Sequence, residues 1–158
     1  MPHRQKLAHI QLDEKTMVRR KPEVEHERNI AIYDLLEENY FAPQGGDYSG
    51  PYHLHLSLEE NRLIFDVRSP EGPGLLQVPL ALKSFQSIVK DYFLVCESYY
   101  SAIKKSSPAQ IEAIDMGRRG LHNEGSELLR ERLSGKIDVD FDTARRLFTL
   151  ICILHIRG

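Results

Sequence analysis

The 158-residue sequence is short of cysteine, of any charge surplus and of long apolar runs, and each shortage removes a class of function. Only Cys96 and Cys152 occur, without Cys-x-x-Cys spacing, which excludes a disulfide framework and the paired-thiol redox and zinc motifs. Both fall on apolar helical stripes, where buried reduced thiols are expected. With 21 Lys and Arg against 23 Asp and Glu the formal charge is -2, so no global field draws the chain to nucleic acid or anionic lipid. No apolar run reaches membrane-spanning length, and Met1 to Lys6 lacks the apolar core of a secretory signal. A cytoplasmic protein with neither membrane nor nucleic acid as partner is expected. Missing as well are a phosphate-binding Gly-rich loop ending in Lys-Ser/Thr, the dinucleotide glycine fingerprint, the Gly-x-Ser-x-Gly elbow and His-Glu-x-x-His, so neither a cofactor nor a metal is implied.

What is present is clear periodicity. Leu7 to Leu12 places Ala8, Ile10 and Leu12 on one side, a first strand. Pro22 opens a helix whose Glu23, Glu25 and Glu27 suit the positive end of its dipole, with Ile32, Leu35, Leu36 and Tyr40 as the inward stripe. Pro43, Gly45, Gly46, Gly50 and Pro51 then form a loop. Tyr52, Leu54, Leu56 and Leu58 alternate with His53, His55 and Ser57. Leu63, Phe65 and Val67 repeat the pattern after a short polar connector, and Leu75 to Val78 follows the turn at Pro70 to Gly74, which reads as an antiparallel meander.

From Ser84 the period changes: Phe85, Ile88, Val89, Tyr92, Phe93, Cys96, Tyr99, Tyr100 and Ile103 form the stripe of a long amphipathic helix. Ser107 caps the next helix with Pro108 at its first position, and that helix runs to Leu133. Asp140 or Asp142 caps a last helix that is apolar nearly all round from Ala144 to Leu154 and therefore belongs inside the core. The expected fold is α+β, one domain over 1–158, with a small antiparallel sheet of about four strands packed with an N-terminal helix and a C-terminal bundle of three helices.

The densest chemistry lies between Ile111 and Leu133. Asp115, Arg118, Arg119, His122 and Ser126 recur at helical steps, which puts two guanidinium forks beside an imidazole, a group suited to a phosphate or carboxylate. The plain alternative is a charged surface in which Asp115 pairs with Arg119, and Arg118 with Glu124 or solvent. Gly117, Gly120 and Gly125 interrupt the same stretch. In an unbroken helix they cost on the order of 3 kcal/mol together, which close packing against the last helix would recover; a break at Gly117 to Gly120 would instead aim backbone N–H groups at an anion. The apolar register of Ile114, Leu121 and Leu128 favours the unbroken form. Arg145 and Arg146 form a second pair with Asp142 or Glu124 as expected partners. His53 and His55 stand about 7 Å apart on one strand face, too few ligands for a metal. Arg19-Arg20-Lys21 reads as a solvated junction, and His155 as a residue compatible with the negative end of the last helix.

Glu25-His26-Glu27-Arg28, Asp34 to Asn39, Val89-Lys90-Asp91-Tyr92-Phe93, Ile111 to Ser126, Asp138 to Phe148 and the closing His155 to Gly158 together resemble a bacterial grouping, uncharacterised protein family 0262, over nearly the whole chain. The resemblance implies a free-standing cytoplasmic bacterial protein of about this size and carries no activity, cofactor or site residue. The residues themselves leave two readings. One is an interaction or regulatory domain without catalysis, suggested by the missing catalytic motifs, the all-apolar last helix and the aromatic stripe through Tyr99 and Tyr100, with a homodimer as a further expectation. The other is an enzyme or sensor of a small anionic metabolite, with Arg118 and Arg119 as oxyanion clamps, His122 as proton carrier and Glu124 or Asp115 orienting the imidazole.

Overall fold

A computed structural model describes residues 5–12, 22–45, 48–72 and 74–155, so the Arg19-Arg20-Lys21 junction lies outside the described residues, as does the His155 side chain. The elements run β1 (Leu7–Leu12), α1 (Pro22–Glu37), β2 (Phe41–Pro43), β3 (Tyr52–Glu59), β4 (Arg62–Arg68), β5 (Gly74–Ala81), α2 (Lys83–Lys105), α3 (Pro108–Leu133), β6 (Ile137–Val139) and α4 (Phe141–His155). The mixed α+β class and the helix order follow the periodicities.

The main sheet has the order β1-β3-β4-β5. Strands β3, β4 and β5 form the expected antiparallel meander. Strand β1 joins β3 in parallel, because the intervening α1 returns the chain to the end of the sheet where β1 began. The sheet is therefore mixed at one edge rather than antiparallel throughout. Ile10 and Leu12 are buried as expected, but Ala8 is exposed and Leu7 takes its place. A register shift between Leu7 and His9 reverses the side from which the first residues point. Two three-residue strands, β2 and β6, pair antiparallel and tie the loop after α1 to the α3–α4 connection. Runs that short carry no readable alternation.

Helix α3 begins with a full capping box: Ser107 Oγ accepts from the Gln110 N–H at 3.3 Å, and the Gln110 side chain accepts from the Ser107 N–H at 3.1 Å. It continues unbroken across all three glycines. Asp140 caps α4, its Oδ1 accepting from the Thr143 N–H at 2.9 Å. Helix α4 packs between α1 and α3, and Ala144, Leu147, Phe148, Leu150, Ile151, Cys152, Ile153 and Leu154 are all buried. At Gly125 the Phe148 ring of α4 packs directly onto α3, and a methyl group there would collide with it. Gly117, expected on the same contact, has nothing within 4 Å of a Cβ position, and neither has Gly120.

The reason is that the α2–α3 hairpin outruns the core. The buried residues of α3 are His122, Gly125, Ser126, Leu129 and Leu133, all in its second half. On α2 the core stripe is buried from Phe85 to Tyr92, yet Tyr100 and Ile103 are each 50% exposed. Ala102 is covered within the hairpin while the far half of both helices projects past the sheet. Tyr40, expected in the stripe of α1, falls just beyond that helix at the surface.

Candidate functional site

His122 occupies an inward position of α3, on the spacing it shares with Gly125, Ser126 and Leu129. The face expected to carry polar groups outward thus turns partly into the core, while Leu121 and Leu128 are only half-buried. The imidazole sits edge-on between the rings of Tyr92 and Phe148, with centroids at 5.3 and 5.2 Å. Its Nε2 lies 2.8 Å from Thr149 Oγ1, and the Thr149 hydroxyl donates to the Arg145 carbonyl at 3.2 Å. A hydroxyl has one proton to give, so the imidazole must supply the hydrogen in the first contact and Nδ1 is left as a bare acceptor. That Nδ1 is buried without a partner. Burial lowers the imidazole pKa to about 4, and Arg145 and Arg118 push in the same direction. His122 is therefore neutral near pH 7, where the proton-carrier role would require it to titrate.

The two arginines beside it share one carboxylate. Arg118 donates through Nε and Nη2 to Asp115 Oδ1 at 3.1 and 2.6 Å, and its guanidinium lies over the Tyr99 ring at 5.2 Å. Arg119 reaches Asp115 Oδ2 at 3.1 Å with its side chain 57% exposed. The hydrogen bond from Arg118 holds the Asp115 carboxyl below the ordinary carboxylate range. Arg118 leans inward and Arg119 outward. Glu124 is two residues from His122, so it projects to a different side of the helix and does not touch the imidazole. Of the sequence-predicted set, Arg118, Arg119 and Asp115 come together, His122 lies beside Arg118 within electrostatic reach, and Glu124 stands apart.

The second arginine pair also divides. Arg146 donates to the Glu38 carbonyl at 3.1 Å, whereas Arg145 turns toward His122 with its Nε buried and unpartnered among the described residues, in place of the expected carboxylate contact. Sequence reasoning missed Glu27, Tyr92, Cys96 and Thr149. Burial raises the Glu27 pKa against the opposing pull of Arg118, and Glu27 in turn acts on Tyr92, Cys96 and Cys152. All four helices thus contribute to one interior polar patch. Burial pushes both thiols up, so Cys96 and Cys152 are protonated at neutral pH and poor nucleophiles. On the sheet, β1 brings the His9 ring to 5.1 Å from His53, and no group of three or more His, Cys, Asp or Glu is arranged for a metal among the described residues.

A concavity lies on the opposite side of α3. It is a groove of about 840 Å³ between α2 and α3, floored by Ile88, Leu121 and Leu128 and rimmed by Asp91, Glu124, Glu127 and Glu131. Glu127 pairs with Arg130 at 3.7 Å, and Arg130 also donates to the Val139 carbonyl. Asp91, Glu124 and Glu131 have no ion-pair partner among the described residues. No helix among the described residues is long and apolar enough to cross a membrane.

A family model described as an uncharacterised protein family, UPF0262, matches residues 4–157. A UPF0262 protein of Paramagnetospirillum magneticum is 77% identical over 158 residues, covering the whole of both chains. Relatives of the same description in Rhodospirillum rubrum and Mesorhizobium japonicum are 65% and 59% identical, covering 96% and 98% of this chain and 93% and 96% of their own. No solved structure matches the chain.

Proposed function

Because the chain belongs to the uncharacterised protein family UPF0262, which brings no activity with it, we propose a function from geometry alone: a cytoplasmic, single-domain interaction module, without catalysis, that docks a basic partner surface between α2 and α3. The observation that carries this reading is the 840 Å³ groove, with its apolar floor and with Asp91, Glu124 and Glu131, which have no ion-pair partner among the described residues. Exposed carboxylates around the apolar floor of Leu121 and Leu128 suit a cationic side chain with an apolar stem, and the local negative field speeds its approach.

Asp115 balances the arginine pair, the Nε2 of His122 is taken up by Thr149, and both thiols keep their protons. Thermal-shift and NMR titration against two panels tests the reading. A cationic amphipathic peptide should raise the melting point and perturb Asp91, Glu124 and Glu131 amides, and added salt should weaken it. Phosphate or a dicarboxylate that stabilises the wild type but not Arg119→Ala would instead support the metabolite sensor built on Arg118, Arg119 and His122.

A further inference from the structure

Two features of the α2–α3 hairpin have no purpose inside one chain. Gly117 and Gly120 lie mid-helix at the surface, where glycine weakens a helix, and a Cβ at either would meet nothing within 4 Å. Leu94 and Met116 are 54% and 60% exposed. These residues share the groove side of the hairpin. On α2, Ser87, Asp91, Leu94 and Ser98 follow at steps of four and three, and Lys105 lies seven residues further along the same line. On α3, Ala113, Gly117, Gly120, Glu124, Glu127 and Glu131 alternate steps of four and three, with Met116 on the edge of that line. One continuous face therefore runs from an acidic groove at the base, across a low apolar middle, to exposed Lys105 at the tip.

We propose that this face is where a second copy of the chain docks, hairpin against hairpin and antiparallel, so that the basic tip of each copy covers the acidic groove of the other. The proposal rests on the interaction-module reading and names its partner. The charges of the face are self-complementary, as a two-fold interface requires. Ser98 stands seven residues from both Asp91 and Lys105, about 10 Å each way at 1.5 Å per residue, so a two-fold axis near Ser98 lays each lysine over the other copy's aspartate. The same axis passes α3 between Gly117 and Gly120, where missing side chains let two helix backbones draw close and where Leu94 and Met116 lose their exposure to water. An unrelated basic segment would account for the groove but not for the glycines or the tip.

Light scattering and sedimentation on the full chain test this, because Gly120→Leu adds a side chain into open space and leaves the fold of a single copy intact. The wild type should weigh twice its 18.2 kDa chain mass. Gly120→Leu should weigh one chain, with a melting point that does not fall on its own dilution. Lys105→Glu and Asp91→Lys should each weaken association about tenfold, and the double exchange should restore it. A wild type that stays a single chain at millimolar concentration overturns the proposal, as does a double-weight species indifferent to Gly120→Leu. If that single-chain protein still binds the cationic peptide through Asp91 and Glu124, the second copy is the wrong partner and the interaction module stands; binding neither removes both.

Discussion

Acidification should destabilise this protein through His122, and the effect can be isolated from every other titrating group. The imidazole is 8% exposed, and its pKa in the fold is about 4, against 6.5 for the ordinary value. The unfolded chain therefore binds more protons than the folded one across that window. Stability tied to His122 is complete above the unfolded value and disappears as pH falls toward the folded one. The full difference corresponds to about 3 kcal/mol, and about 2 kcal/mol of it is gone by roughly pH 5. Glu27 works with the opposite sign, since burial raises its pKa and favours the folded state at low pH. Comparing wild type with His122→Gln cancels Glu27 and the remaining carboxylates, because glutamine can still donate to Thr149 but does not titrate. Urea denaturation at a series of pH values should show the wild type losing about 2 kcal/mol more than His122→Gln between roughly pH 7 and pH 5. Parallel losses in the two proteins would refute the reasoning and mean that the imidazole charges freely in the folded state.

The helix glycines should separate by position. Gly125→Ala forces a methyl against Phe148 and should cost about 1–3 kcal/mol in thermal or urea unfolding, whereas Gly117→Ala, measured on dilute single-chain protein, should stabilise the fold by up to about 1 kcal/mol because its surroundings within one copy are open. Asp140→Ala removes the acceptor for the Thr143 N–H at the start of α4 and should cost about 1 kcal/mol, with Asp142→Ala changing little in the same melt.

Most of the fold could be read from periodicity because its elements are long. The stripe from Phe85 onward, the alternation through Tyr52 to Val67 and the Ser107-Pro108 start of α3 each state a local preference that tertiary structure then followed. What periodicity reports is which side chains share a face, not what covers the face. Tyr100 and Ile103 continue the spacing of Phe85 and Val89, yet they project beyond the sheet, and no local pattern marks where the core ends. The short β2 and β6 strands are held by each other rather than by their own sequence.

The candidate site was legible in part for the same reason. Asp115, Arg118 and Arg119 meet because they are three and four residues apart on one helix. The inward turn of His122 depends on Gly125 admitting Phe148 and on Thr149 offering a hydroxyl from α4, which are long-range facts. Glu27 sits in a run of acids that suits a helix start, and only the approach of α1 to α3 makes it half-buried and coupled to Arg118. The acidic groove needs α2 and α3 side by side, so Asp91 and Glu124 could not be joined from spacing alone.

Residue-resolved amide exchange on dilute and concentrated samples tests most directly whether binding belongs to the α2–α3 groove face. Slower exchange in the concentrated sample at Asp91, Leu94, Gly117, Gly120 and Glu124, with α4 unchanged, is the predicted result. Identical exchange at both concentrations, together with protection of Arg118 and Arg119 on adding phosphate, would contradict it and move the function to the arginine and histidine side of α3.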